Sequence, residues 1–292
     1  MTNSERILVT GATGKVGSAL LDNLGNADVE LRALIRNGSK ARSLGLRNVE
    51  VVSGDFLESQ TLRPALEGVD AIFLLTPIHP HQVQQAANVI DVASESGNDP
   101  HVVRLSVHQA SHEAPTRISR QHAEVEDRLA SSGLPYTLLR PQSYMQNTLM
   151  AAPTVAFEGR IYQPMKSGRL GMIDARDIGE VAAKILTEED HEGKVYTLTG
   201  PAAISFYDVA EALSEVLGKE VGYVPIPPEK AKEAAVGRGI PEWVADALNE
   251  YAKAHSKGYS DWTTGDFERL TGRPATSYKE FARDFEWVFR GA

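Results

Sequence analysis

The chain has 292 residues, of which 42% are hydrophobic and 24% charged; it is long enough for one large globular domain or for a domain with a smaller lobe. It contains no cysteine, which excludes disulfides, thiolate catalysis and cysteine-ligated metals. The net charge of −9 argues against a large nucleic-acid footprint.

The N-terminal segment leads straight into a predicted strand. Residues Met1–Arg6 contain no apolar signal region. The chain also has no run of about 18 or more apolar residues, the length that a membrane helix requires. We therefore expect no membrane span and a cytoplasmic location.

The first strand is followed by three glycines at a spacing of three residues. Ile7–Val9 is a short apolar run typical of a buried strand, and Ser18–Leu24 has the pattern of a helix. Between them lie Gly11, Gly14 and Gly17. A turn that presses its backbone against a pyrophosphate has no room for side chains, and a helix N-terminus offers N–H groups and a positive dipole end. The alternative is an ordinary tight turn, but the flanking strand and helix favour a variant dinucleotide-binding loop.

The second predicted strand, Val29–Ile35, ends in basic residues. An NAD-binding protein is expected to carry a carboxylate near this point, where it holds the ribose 2′-hydroxyl. This chain has Arg36 instead, with Lys40 a few residues further on. A guanidinium pairs bidentately with phosphate oxygens, which favours a 2′-phosphate and therefore NADP(H). The alternative is that both side chains are solvated surface charges.

Further strands are predicted at Val49–Val52, Ala71–Leu75, Val102–Leu105 and Tyr136–Leu139. Strands that alternate with helices favour a parallel sheet with right-handed crossovers, so the sequence predicts an α/β fold with a Rossmann-type doubly wound sheet. Ligands of such sheets bind beyond the carboxyl ends of the strands. The residues expected at that edge are Gly11, Arg36, Asp55, Thr76 and Ser106.

The C-terminal half predicts a smaller, mainly helical lobe. Residues 151–173 have no long periodic element, whereas helical patterns occur near 229–236, 241–254 and 277–289. Capping boxes begin at Ser205 and Ser277. We therefore divide the chain into an NAD(P)-binding Rossmann domain, residues 1–152, and a substrate-side lobe, residues 153–292, with residues 172–200 returning to the first domain.

Two clusters in the sequence have a structural interpretation. The large aromatic residues of the C-terminal part are expected to form its core, and they are Trp243, Tyr251, Trp262 and Trp287. His79 and His81 have the spacing of a metal pair, but no third ligand accompanies them and Pro80 suits a loop. We therefore expect no metal.

Several stretches resemble the NmrA-like group of the atypical short-chain dehydrogenase/reductases. The similarity covers essentially the full chain. It is carried by Gly11–Gly17, by the segment from Ser119 to Pro141, by Ile173–Ile178 and by Leu270–Ser277. The group includes NADPH-dependent quinone, azo-dye and triphenylmethane-dye reductases, and also a transcriptional co-regulator that binds dinucleotides without turning them over.

The resemblance implies roles for the matched positions. The pyrophosphate would lie along Gly11, Thr13, Gly14 and Val16, with Lys15 and Gly17 in the same cofactor-binding loop. Arg36, together with Lys40, would hold the 2′-phosphate, and Asp55 and Phe56 would flank the adenine. Thr76, Pro77 and Ser106 would lie along the ribose and nicotinamide. Tyr144 and Asn147 would border a substrate pocket.

One position departs from the wider superfamily, which uses Tyr-x-x-x-Lys to protonate a carbonyl. This chain has Ile118 and His122 at that spacing. The candidate catalytic residues are therefore His122 and Tyr144, where His122 either donates a proton or is held by structural hydrogen bonds. Hydride transfer to a simple ketone generates a strongly basic alkoxide, whereas transfer to a quinone generates a delocalised anion with a phenol-like pKa of about 10. The missing tyrosine therefore favours conjugated acceptors.

Three functions follow from these observations. The first is an NADPH-dependent oxidoreductase that transfers hydride to a quinone-like or conjugated aromatic small molecule. The second is an NmrA-like sensor that binds the dinucleotide without turnover, and the third is a non-reductive tailoring enzyme on the same fold. We favour the reductase, with NADP(H) preferred over NAD(H) and with no direct nucleic-acid or membrane partner. The sequence does not indicate an oligomeric state.

Overall fold

The computed structural model describes residues 5–36 and 48–291; Lys40 lies outside the described residues. The strands are β1 (Glu5–Thr10), β2 (Val29–Ile35), β3 (Val49–Ser53), β4 (Ala71–Leu74), β5 (His101–Leu105), β6 (Tyr136–Pro141), β7 (Arg160–Gln163), β8 (Arg169–Leu170), β9 (Val195–Leu198), β10 (Ile204–Ser205) and β11 (Gly222–Pro225). The α-helices span Lys15–Leu24, Ser59–Leu66, Gln82–Ser94, Arg117–Ala130, Ala152–Glu158, Ala175–Thr187, Phe206–Leu217, Pro228–Gly237, Glu242–His255, Asp266–Thr271, Tyr278–Asp284 and Glu286–Phe289. A 3-10 helix covers Met145–Ala151.

Seven strands form one parallel sheet in the order β3-β2-β1-β4-β5-β6-β9. The strand order reverses between β1 and β4, which places the topological switch point of a doubly wound sheet directly beyond the first strand. The register pairs Thr10 with Leu34 and Leu74 with Arg104, so the carboxyl ends of the strands meet at one edge. This confirms the predicted Rossmann-type fold.

The chain divides into two compact units. The first comprises residues 1–112, Ser119–Arg140 and Ile178–Tyr196. Its central strand β4 is fully buried, as its continuous apolar run predicts. Helices pack on the sheet through buried side chains such as Leu62, Ala86 and Leu129, and this burial of apolar surface fixes the strands whose ends carry the candidate site.

The second unit comprises Glu113–Ile118, Pro141–Asp177 and Thr197–Ala292. Both predicted capping boxes are present: Ser205 with Asp208, and Ser277 with Glu280. The aromatic core prediction is wrong for Trp287, which is 60% exposed. Trp243, Tyr251 and Trp262 are only half-buried. The buried cluster is built instead around Phe206, Leu213, Tyr278, Phe281 and Phe289.

Within residues 5–36 and 48–291, no helix is both long enough and apolar enough to cross a bilayer.

The second unit also contains two small sheets of two strands each. Strand β7 lies parallel to β11, and β8 lies antiparallel to β10.

Candidate functional site

The glycine loop between β1 and the Lys15–Leu24 helix is built from close backbone approaches. Gly11 has φ +63°, a conformation that side chains disfavour. A Cβ on Gly17 would lie 2.2 Å from the carbonyl oxygen of Gly11. The hydroxyl of Thr10 donates to the Phe73 carbonyl at 3.0 Å and accepts from the Leu75 amide at 2.7 Å, which ties the start of this loop to the end of β4. The turn is therefore both narrow and fixed.

The helix that follows presents its N-terminus at this edge. Gly14 is the N-cap, no side chain caps the helix, and its first turn contains no acidic residue. Thr13 and Lys15 are exposed, whereas Val16 and Gly17 are buried. Unshielded N–H groups and the helix dipole bind anions. The loop therefore fits the pyrophosphate of a dinucleotide, because a Cβ on Gly11, Gly14 or Gly17 would crowd the narrow turn and the helix N-terminus beside it is uncapped.

The ends of β2 and β3 place three predicted residues at the same edge of the sheet. Arg36 is exposed directly after β2. One carboxylate oxygen of Asp55 accepts from the Leu57 amide at 2.9 Å, so Asp55 also closes its own turn. Phe56 is partly buried and packs against the core of the first unit.

The ends of β4 and β5 place Thr76, Pro77 and Ser106 at the same edge. Thr76 and Ser106 are buried, with 7% and 4% of their surface exposed, and Pro77 is exposed. The structure thus brings the predicted cofactor residues of the described chain to one edge of one sheet. Whether each contacts a cofactor stays a prediction.

A hydrogen-bonded network lies behind Thr76. Arg104 is fully buried on β5; its guanidinium donates to the Leu74 carbonyl at 3.0 Å, to Thr76 Oγ1 at 3.1 Å and to His122 Nδ1 at 3.4 Å. Since a guanidinium only donates, Nδ1 accepts and the ring proton of the neutral imidazole is on Nε2. The amide nitrogen of Gln82 lies 3.0 Å from Nε2. Because this nitrogen can only donate, acceptance of the Nε2 proton requires the Gln82 amide to be turned by 180°, which would bring its oxygen, without a hydrogen-bond partner among the described residues, to Nε2.

His122 is therefore held at both ring nitrogens. Burial, together with the positive charge of Arg104, holds its pKa well below the ordinary value. The imidazole is neutral near pH 7, which favours the second of the two roles considered above, a histidine that is held by structural hydrogen bonds.

A second network lies one helical turn further along. Glu126 is 6% exposed. It accepts a 2.5 Å hydrogen bond from Ser106 Oγ and pairs with Arg140, whose Nε lies 3.0 Å from Oε1. Sequence reasoning assigned no role to Arg104, Gln82, Glu126 or Arg140. The available signal was Arg104, a charged residue within an otherwise apolar strand.

The predicted substrate residues belong to the second unit. Tyr144 precedes the Met145–Ala151 3-10 helix and forms a bridge with Ile173. It is half-buried, and Asn147 is exposed. The rings of Tyr251 and His255 lie 4.0 Å apart. Burial, with smaller contributions from Tyr144 and Tyr259, raises the pKa of Tyr251. Tyr144 therefore lies within electrostatic range of Tyr251, another aromatic side chain of its unit.

The histidine pair considered as a metal site has a local explanation. Nδ1 of His79 accepts a hydrogen bond from the backbone amide of His81 at 3.1 Å. Among residues 5–36 and 48–291, no group of three or more His, Asp or Glu side chains is arranged to hold a metal ion.

Comparisons with known proteins return a family profile and several relatives. The profile of the NmrA-like family matches residues 3–276. The chain is 39% identical over 286 residues to an NAD(P)H azoreductase of Xenophilus azovorans, covering 98% of this chain and 100% of the relative. It resembles an NADPH-dependent quinone oxidoreductase of Escherichia coli complexed with NADPH, with a TM-score of 0.86, 30% identity and coverage of 96% and 99%. It also resembles the Citrobacter sp. triphenylmethane reductase complexed with NADP(H), with a TM-score of 0.85, 30% identity and coverage of 95% and 99%.

Proposed function

Since the chain belongs to the NmrA-like family, we propose that it is an NAD(P)H-dependent oxidoreductase that reduces a quinone-like or conjugated aromatic small molecule. The observation that carries the cofactor assignment is the glycine turn, in which a Cβ on Gly17 would lie 2.2 Å from the Gly11 carbonyl beside an uncapped helix N-terminus. The names of the azoreductase and the quinone oxidoreductase support the class of acceptor.

The cofactor is proposed to be NADP(H) in preference to NAD(H). Arg36 is exposed at the carboxyl end of β2 and forms no ion pair among the described residues. Its guanidinium is therefore available to a 2′-phosphate, which it can bind through two hydrogen bonds. No carboxylate occurs between Arg36 and Lys40 to hold a ribose 2′-hydroxyl.

The proposed role of the chain's own residues is to bind the cofactor and the acceptor and to orient them. When bound, the dinucleotide supplies a hydride. The acceptor takes this hydride and, from solvent, one proton, so a quinone gains two electrons and two hydrogens. Tyr144 and Asn147 are proposed to contact the acceptor, and His122 is proposed to act as a neutral positioning residue through its bonds to Arg104 and Gln82. Orientation provides the main rate advantage when no strong acid is required.

Two measurements on the wild-type protein test this proposal. Isothermal titration calorimetry should detect NADPH binding, and absorbance at 340 nm should fall when a water-soluble quinone is added with NADPH. Tyr144→Ala should raise the KM for the quinone by about 5-fold, since a lost ring contact is worth about 1 kcal/mol, whereas Tyr144→Phe should change it little. Absence of NADPH binding would contradict the proposal, and binding without turnover of any quinone or dye would favour the sensor.

A further inference from the structure

We propose that Ser106 serves the cofactor as a hydrogen-bond acceptor, and that Glu126 and Arg140 are positioning residues that fix this polarity. The inference rests on the proposed function. It assigns to Ser106 a role opposite to that of a serine that donates a hydrogen bond to a substrate carbonyl.

The polarity follows from the two partners of Glu126. Arg140 Nε lies 3.0 Å from Oε1, and its Nη2 binds Oε2, so both carboxylate oxygens are bound by one guanidinium. A carboxylate held in this fork is ionised and can only accept hydrogen bonds. In the 2.5 Å hydrogen bond between Ser106 Oγ and Oε1, the Ser106 hydroxyl is therefore the donor.

The remaining donor of Ser106 is also used. Its backbone amide donates to the Leu139 carbonyl at 2.7 Å, within the pairing of β5 and β6. Ser106 thus has no proton left for a ligand, and its Oγ retains only an acceptor lone pair. Ser106 directly follows the last residue of β5, at the edge of the sheet where the cofactor is proposed to bind.

The chemistry of the two ligands then decides which one Ser106 can bind. A quinone carbonyl has lone pairs and no proton, so it cannot pair with an oxygen that only accepts. A nicotinamide dinucleotide carries N–H groups on its carboxamide and O–H groups on its riboses. Ser106 is therefore suited to the cofactor and cannot polarise the acceptor.

Two variants separate these roles. Ser106→Ala removes the lone pair and leaves the Glu126–Arg140 pair in place. Glu126→Gln keeps the size of the side chain, but its amide can donate to Ser106 Oγ and so release the hydroxyl proton toward the ligand. Ser131→Ala is a control, because the Ser131 hydroxyl donates to the Asp127 and Arg128 carbonyls, and no cofactor role is assigned to these residues.

The experiment measures the Kd of NADPH by calorimetry, and kcat and the quinone KM at saturating NADPH, for each variant. We expect Ser106→Ala to raise the Kd of NADPH by about 5-fold, the usual value for one neutral hydrogen bond, and by a larger factor than it changes kcat or the quinone KM at saturating NADPH. Glu126→Gln should raise the Kd of NADPH by a similar factor in the wild-type background. In the Ser106→Ala background the same change should cause no further rise, because that variant has no hydroxyl at position 106.

The opposite pattern overturns the inference. A Ser106→Ala variant with unchanged NADPH affinity and a kcat reduced by more than 10-fold would assign Ser106 to the acceptor. If Glu126→Gln does not fold, Ser106→Ala alone decides through the same split between Kd and kcat. A wild-type protein that does not bind NADPH contradicts the proposed function itself, and the inference fails with it.

Discussion

The direction of each hydrogen bond at the sheet edge follows from groups that can only donate or only accept. Arg104 can only donate, which fixes the neutral tautomer of His122. Glu126 can only accept, which commits the hydroxyl of Ser106. Two side chains that could each donate or accept in isolation therefore have one polarity in the folded protein.

At the same scale, Arg36→Ala should weaken NADPH binding by about 1.5–3 kcal/mol, the usual value for a charge-assisted hydrogen bond. NADH affinity should barely change, because NADH has no 2′-phosphate. Arg63→Ala is the matched control, since Arg63 is also exposed but pairs with Glu95. Calorimetry that gives the wild type equal affinities for NADPH and NADH would contradict the preference for NADP(H).

Elements whose local pattern matches their burial were predictable from the sequence. The apolar run of β4 became a fully buried strand, and both Ser-x-x-Asp/Glu patterns became capping boxes. The partners in the networks of Arg104 and Glu126 were not predictable, because they lie on different helices and strands that meet only when the helices pack on the sheet. The exposure of Trp287 was missed for a related reason: hydrophobicity alone does not determine which side of a short helix faces the core.

The glycine turn gives a prediction for an element. Gly17→Ala places a Cβ 2.2 Å from the Gly11 carbonyl, so the turn must open or the helix must shift. We expect a loss of about 1–3 kcal/mol in the free energy of unfolding, the usual cost of overpacking, and a loss of NADPH binding of at least about 10-fold. Gly237→Ala is the control, because a Cβ there meets no atom within 4 Å. Equal stability and cofactor affinity in the two variants would show that the turn is not close-packed around its glycines.

For the whole molecule, buried histidines predict a loss of stability in acid. Burial lowers the pKa of His108 from 6.5 to about 4, and lowers that of His122 as well. Below pH 6.5 the unfolded chain binds protons at these residues that the folded chain does not, so the free energy of unfolding falls as pH falls toward 4. From pH 7.5 to 5.0, His108 alone should contribute a loss of about 2 kcal/mol.

Urea unfolding at the two pH values measures this loss. The His108→Gln variant should show a smaller difference between pH 7.5 and 5.0, whereas Gly237→Ala, which changes no titratable group, should retain the wild-type difference. An unchanged pH dependence in His108→Gln would mean that His108 titrates alike in the folded and unfolded states.

The central claim for the whole molecule is that this fold reduces conjugated acceptors with NADPH and without a strong general acid at the Tyr-x-x-x-Lys position. Its most direct test is the oxidation of NADPH at 340 nm with a quinone, an azo dye and a simple aliphatic ketone under identical conditions. We predict turnover with the quinone or the dye and a kcat/KM at least about 100-fold lower with the ketone, the low end for general acid catalysis. Rapid reduction of the ketone with no activity toward the quinone or the dye would contradict the account.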